Sequence, residues 1–230
     1  MAWHCKATGG YTTSTPVARY PDNDGQDNCL QIYNQLTSYG WTVNAICGLL
    51  TCIGFESGYN PWRWQGDAVP TIANRDYFNG GYGLVQWDPA SETNIDRPNR
   101  NKYINNPYSI NLPGYGPNYS DVPGNTLDGR AQMEYLHIHG YDGQYYRNLS
   151  YPTWADVAPT YADYITSTAA ASTLCETWVV NFERPGNPAT NRTLRQALAT
   201  ELFNWLSGVQ PSQFPIWLLF KLRENNFGRR

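Results

Sequence analysis

From Ala45 to Phe55 the chain is almost unbroken apolar sequence, and the run stops at Glu56. Val43, Ile46, Leu49, Leu50 and Ile53 recur at helical spacing. Thr42 stands where an N-cap belongs, and Ser57 to Pro61 form a stop. Apolar residues cover nearly the whole circumference, which predicts a buried helix. Before it, Leu30, Tyr33 and Leu36 predict a short helix over 27–39, closed by Gly40.

Beyond Gly58 the pattern changes. Gly, Pro, Asn and aromatic residues dominate 58–90, and only 82–87 offers an extended piece, so small strands and loops are expected there. Residues 91–125 read as polar loop. Helical spacing returns over 127–138, in part over 154–164, and over 167–181, where Leu174, Trp178 and Val179 form the inward side. The last helix is expected over 193–206, with Leu194, Leu198, Leu202 and Trp205. The reading is α+β, mainly α. It divides into an irregular arm over 1–26 anchored by Trp3 and Tyr11, one domain over 27–207, and a linker with a basic amphipathic tail over 208–230.

Composition adds one question. Nine Trp and 18 Tyr bring the aromatic share to 15%, equal to the charged share. This fits an aromatic core, and it equally fits a surface whose flat rings stack on sugars. The net charge of −3 is uneven, because the last twenty residues carry a net of +3. Nothing in the body suggests a nucleic-acid surface. The five cysteines, Cys5, Cys29, Cys47, Cys52 and Cys175, form no CxxC and read as buried free thiols. The first ten residues lack the basic and apolar regions of a secretory signal, and no run reaches the ~18 apolar residues of a membrane helix.

Glu56 is the chemical focus. A carboxylate at the negative end of a helix dipole, behind an apolar helix, is pushed toward its protonated form. A carboxylic acid that keeps its proton near neutral pH is what glycosidic cleavage needs as general acid. The plain alternative is a Glu that swings into solvent. Tyr59, Trp62, Trp64 and Trp87 fit a sugar cleft or a small hydrophobic cluster. Gln86 fits a ligand contact or a tie between loops.

Here the segments resemble a known family. ESGYNP followed by GYGLVQW resembles the lysozyme-like superfamily, in which a Glu-Ser pair at a helix end precedes a Gly-x-x-Gln segment. GWTVNAICGLL (40–50), ESGYNPWRWQ (56–65), GYGLVQWDPAS (81–91) and NFERPGNP (181–188) look, in the same order, like segments of phage tail-tip lysozymes. The resemblance covers roughly 27–207. It implies a lysozyme-like fold with a small β or loop lobe beside a helical lobe, a peptidoglycan substrate and Glu56 as catalytic acid.

A second carboxylate is expected at ~5–5.5 Å in a retaining enzyme and ~6.5–9.5 Å in an inverting one. Asp67, after Trp-Arg-Trp-Gln, is the first choice. Asp88 before Pro89 fits a turn start, and Asp76 beside Arg75 a solvated side chain. A lytic transglycosylase would need no second carboxylate. Tyr59, Asn60, Trp64, Gln65, Tyr82, Gln86 and Trp87 are the expected substrate contacts. Glu183 also ends a helix, and is read as an ion-pair or loop residue before a second acid. His137 and His139, two apart on a helix, suit no metal site, and no cofactor is implied.

Two rivals stand beside this reading. One is a cysteine amidase or endopeptidase using Cys29 or Cys47 with His137. The other is a non-catalytic glycan-binding tail component. The expected partners are bacterial peptidoglycan and, through the N-terminal arm or the C-terminal tail, phage tail proteins. The expected place of action is the bacterial cell wall, reached from a virion tail or, as an endolysin, from the host cytoplasm.

Overall fold

A computed structural model describes residues 3–4, 10–12, 15–61, 63, 81, 83–86, 128–140, 146 and 157–209. Over these residues the protein is mainly helical. A two-stranded antiparallel hairpin, β1 (Gly10–Thr12) and β2 (Thr15–Arg19), comes first. Six α-helices follow: α1 (Asn23–Ser38), α2 (Val43–Ser57), α3 (Asp128–His139), α4 (Tyr161–Thr166), α5 (Ala171–Trp178) and α6 (Arg192–Leu206). The hairpin corrects the expectation of a wholly irregular arm. The lobe expected over 58–90 and the tail after 209 lie mostly outside the described residues.

Helix α2 is the hub. Thr42 Oγ1 accepts from the Ala45 N–H and donates to the Ser167 carbonyl, so one hydroxyl caps α2 and ties it to the α4–α5 connection. Ala45, Ile46, Leu49, Leu50, Cys52 and Ile53 are all fully buried. Helices α5 and α6 pack along α2. The approach is close at Gly48, where a Cβ would lie 3.0 Å from the Cys175 backbone nitrogen and 2.7 Å from the Tyr164 hydroxyl. Gly58, at φ 61°, turns the chain out of the helix in the left-handed conformation.

The other helices follow from equally local causes. Helix α1 starts before the apolar pattern does, because Asp22 accepts from the Gly25 N–H at 2.7 Å and Asp24 lies in the positively polarised first turn. Cys29, Ile32, Tyr33 and Leu36 then give it a buried face. Helix α4 opens with a reciprocal capping box between Thr160 and Asp163. Helix α5 starts at Ala171, later than the pattern suggests, because Ser167 and Ala170 take extended ψ angles of 139° and 138°.

The aromatic surplus goes largely inward among the described residues. Tyr146, Tyr161, Tyr164 and Trp178 are buried against one another, with Tyr164 and Trp178 at 5.0 Å between ring centroids. Phe182 stacks on Trp178 at 4.3 Å. Such contacts add about 0.5–1.5 kcal/mol each beyond the area they bury. The first residues are also fastened: Trp3 is buried, and the Asn28 side-chain amide donates to the carbonyls of His4 at 2.8 Å and Tyr59 at 2.9 Å.

Candidate active site

Glu56 occupies the last turn of α2, where peptide carbonyls converge and water is partly excluded. The chain leaves through two consecutive left-handed residues, Gly58 and Tyr59 (φ 66°). A left-handed tyrosine costs about 1–3 kcal/mol, and such strain gathers at functional sites. Among the described residues three other non-glycine residues have positive φ. Two of them, Gln86 and Arg184, belong to the segments that meet the Glu56 turn or carry its partner.

The turn after Glu56 is bound to the 81–86 segment by backbone carbonyls. Arg63 O accepts from the Gly83 N–H at 2.8 Å and from Gln86 Nε2 at 3.1 Å. Gln132, fully buried on α3, donates from Nε2 to Pro61 O and accepts at Oε1 from the Leu84 N–H, both at 2.6 Å. Residues 83–86 therefore form a turn, not the extended piece expected from the pattern. Gln86 donates a second bond to Gly83 O at 2.9 Å, so its amide hydrogens serve the loop tie.

Glu183 stands at a second irregular helix end. After Trp178 the helix widens into a π-helical turn, Val179–Glu183, closed by Arg184 N–H to Val179 O at 2.7 Å. Arg184 leaves that turn at φ 51°. Glu183 is in electrostatic reach of Glu56 and Cys52 on α2, and the Cys52 thiol donates to the Cys175 carbonyl at 3.5 Å. Glu183 Oε1 is shut off from solvent and has no hydrogen-bond partner. Burial raises both carboxyls above the ordinary value. The neighbouring Glu56 charge raises Glu183 further, whereas Glu183 and then Arg195 lower Glu56, and Arg195 lowers Glu183.

Among the described residues the buried ion pair belongs to another acid. Glu176 on α5 receives Arg195 from α6 at 3.2 Å on each oxygen, with Arg192 at 3.7 Å. Arg195 also donates to the carbonyls of Pro188 and Thr190, which fixes the 184–191 connection beneath Glu183.

The other expected site residues fall as follows. Tyr59 is fully buried, its ring against Gly54, so it shapes the helix end and offers no face to a sugar. Asn60 is buried and its N–H donates to Ser57 O at 3.2 Å. Asp67, Trp64, Gln65, Tyr82 and Trp87 lie outside the described residues, as do Trp62, Asp76, Asp88 and Cys5. His137 stacks on Tyr39 at 4.4 Å and faces Trp41 Nε1 at 3.2 Å, the core-edge position expected of it. Cys29, Cys47, Cys52 and Cys175 are buried free thiols. Burial pushes Cys47 up to about 12 and Cys29 well above its ordinary value, which keeps both protonated and inert. Among the described residues no group of His, Cys, Asp or Glu could hold a metal ion, and no helix is long and apolar enough to cross a membrane.

A mainly helical protein with an acid at the end of its central buried helix has the makings of a lysozyme-like phage protein, and comparison with known proteins agrees. The family model for phage tail lysozyme matches residues 27–206, and the chain belongs to that family. It is also 30% identical over 197 residues to Morphogenesis protein 1 of Bacillus phage B103. That match covers 82% of this chain and 43% of the phage B103 protein, so the chain spans less than half the length of this relative.

Proposed function

We propose that this protein cleaves the β-1,4 glycan backbone of bacterial peptidoglycan, with Glu56 as the general acid. The observation that carries the reading is the placement of Glu56: a half-buried carboxyl in the last turn of the central helix, raised in pKa by burial. Such a group retains a proton to deliver. The Glu56 O–H bond breaks, the proton passes to the glycosidic oxygen, and the bond from that oxygen to C1 breaks with it. Water then adds to C1, and its surplus proton restores the acid. Membership of the phage tail lysozyme family supports the substrate class.

In this reading the chain is a lysozyme-like domain over 27–207 with a β or loop lobe facing the helices. Asp67 is the proposed second carboxylate, and Trp64, Gln65, Tyr82 and Trp87 the proposed sugar contacts. Asn60 and Gln86 serve by holding the loops on which those residues lie. The name of the phage B103 relative fits a virion component, and the phage tail lysozyme family fits one acting from the tail. The N-terminal arm and the 208–230 tail are the proposed contacts with other tail proteins.

Digestion of purified peptidoglycan tests the proposal. New reducing ends are expected, and Glu56→Gln should lower their rate at least about 100-fold, the usual worth of a positioned general acid. Anhydro sugar ends would instead make the enzyme a lytic transglycosylase. New amino termini, or a fully active Glu56→Gln protein, would overturn the reading.

A further inference from the structure

We infer that Asn28 is a positioning residue for Glu56, and that the Trp3–His4 segment holds its carboxamide in the working orientation. The inference rests on the reading of Glu56 as the general acid. It starts from the turn that follows α2. Gly58 and Tyr59 both stand in the left-handed region, at φ 61° and 66°. A tyrosine stays there only where its surroundings over-determine it. Its ring is fully buried over Gly54, and its carbonyl accepts from Asn28 Nδ2 at 2.9 Å. Two residues on, the Pro61 carbonyl accepts from Gln132 on α3 at 2.6 Å. The chain leaving Glu56 is therefore gripped at alternate carbonyls by two fully buried amides, one from α1 and one from α3.

The Trp3–His4 segment engages both of those helices. The His4 N–H donates to Asn28 Oδ1 at 2.9 Å, and the His4 carbonyl accepts from Asn28 Nδ2 at 2.8 Å. A carboxamide can lie either way round, with its oxygen and amino group exchanged. Turned over, Asn28 would set its oxygen against the Tyr59 carbonyl and its amino group against the His4 N–H. The His4 backbone excludes that arrangement, because its N–H needs the oxygen on its own side. Both amide hydrogens and the oxygen of Asn28 are then in use, and the residue is fully buried, so no solvent water reaches it to take over a lost bond. Trp3 supplies the second hold. It is 7% exposed and lies on Gly129, in the first turn of α3, where a Cβ would come within 2.4 Å of the indole ring. Gln132 follows three residues later on the same helix. The His4 ring adds contacts to Asp27 at 3.1 Å and Asp24 at 3.4 Å, but these are partly exposed and contribute little. The unit that positions the acid thus includes residues 3–4, outside the span over 27–207 expected of the domain.

The test uses the full chain, with wild type, Trp3→Ala, Asn28→Asp and, as control, Ile32→Val, a small change at a fully buried position of the same helix α1. Asn28→Asp keeps the acceptor for the His4 N–H and removes both donors. Rates are measured on soluble peptidoglycan fragments at a temperature where circular dichroism shows every protein folded. Misplacing a reacting group by about 1 Å costs up to about 100-fold, so kcat should fall at least about 10-fold in Trp3→Ala and Asn28→Asp, with KM within about 3-fold of wild type. Ile32→Val, which loosens the core without touching the turn, should keep its kcat. Hydrogen exchange should quicken in Trp3→Ala, and not in Ile32→Val, at the Gly58 and Asn60 amides, which close the end of α2 on Gly54 O and Ser57 O. Unchanged kcat in Trp3→Ala, or a loss shared by Ile32→Val, would overturn the inference, as would faster exchange confined to α1 and α3. If Asn28→Asp does not fold, Trp3→Ala decides alone. Exchange does not depend on the chemistry. Quickened Gly58 and Asn60 amides beside a fully active Glu56→Gln protein would sink the general-acid reading, whereas an inactive Glu56→Gln protein with unmoved exchange would sink this inference alone.

Discussion

Arg195 meets Glu176 with both prongs of its guanidinium, Nε and Nη2 each lying 3.2 Å from a different carboxylate oxygen. Only 6% of Arg195 and 1% of Glu176 reach solvent. A pair this deep is costly to halve, because the survivor keeps its charge and loses its compensation. Arg195→Met should destabilise the fold by about 3–5 kcal/mol in denaturant unfolding. Replacing both partners with apolar residues of similar volume should recover most of that loss, and a double variant as weak as the single one would contradict the assignment.

Gln132 presents a different kind of dependency. Its one amide satisfies Pro61 O and the Leu84 N–H, on either side of the turn that follows Glu56. Gln132→Ala leaves two buried backbone groups unpaired, at about 1–3 kcal/mol each. A drop in thermal midpoint is expected together with reduced glycan cleavage, since the loop that receives Glu56 loses its brace. Unchanged protection of the Leu84 amide in hydrogen exchange would count against this role.

The buried thiols set a third expectation. With Cys29 and Cys47 held protonated by burial, iodoacetamide should leave both unmodified in the folded protein, and cleavage should survive the treatment. Both should label fully in denaturant. Rapid labelling at Cys29 or Cys47 with loss of activity would revive a cysteine mechanism.

Proton linkage gives a fourth. Burial raises both Glu56 and Glu183 in the folded state above the ordinary 4.5, so between that value and the raised ones the folded chain binds more protons than the unfolded. The stabilisation this provides is complete below the ordinary value and is lost as pH rises through the folded values. Glu56→Gln, which removes one of the two groups, should therefore gain in thermal midpoint on wild type as pH is raised from about 4 to about 8. A difference that is constant or opposite in sign would contradict the burial of the Glu56 carboxyl.

Much of this was legible in the chain, and the divide follows the range of the forces. Thr42, the apolar circumference of α2 and the stop at Gly58 act within a few residues, and each predicts what the structure holds. The acidic start of α1 went unread because its cap, Asp22, sits in polar sequence ahead of the apolar pattern. Glu183 ends a π-helical turn that no periodicity of 3.6 announces. The Glu176–Arg195 pair did leave a signal. Glu176 interrupts the apolar Leu174 to Trp178 stretch, and Arg195 falls on the same stripe as Leu198 and Leu202. Charges on two inward faces invite the question of whether they find each other. The aromatic surplus could not be apportioned from composition, because a Tyr or Trp serves core and surface equally well.

The paired hydrogen bonds of Asn28, to His4 on one side and Tyr59 on the other, tie the Trp3–His4 segment to the end of α2. Tension on the Trp3–His4 anchor is carried by a single carboxamide to the strained peptide three residues past Glu56. The arm and the helix end that bears Glu56 thus share one amide as their fastening.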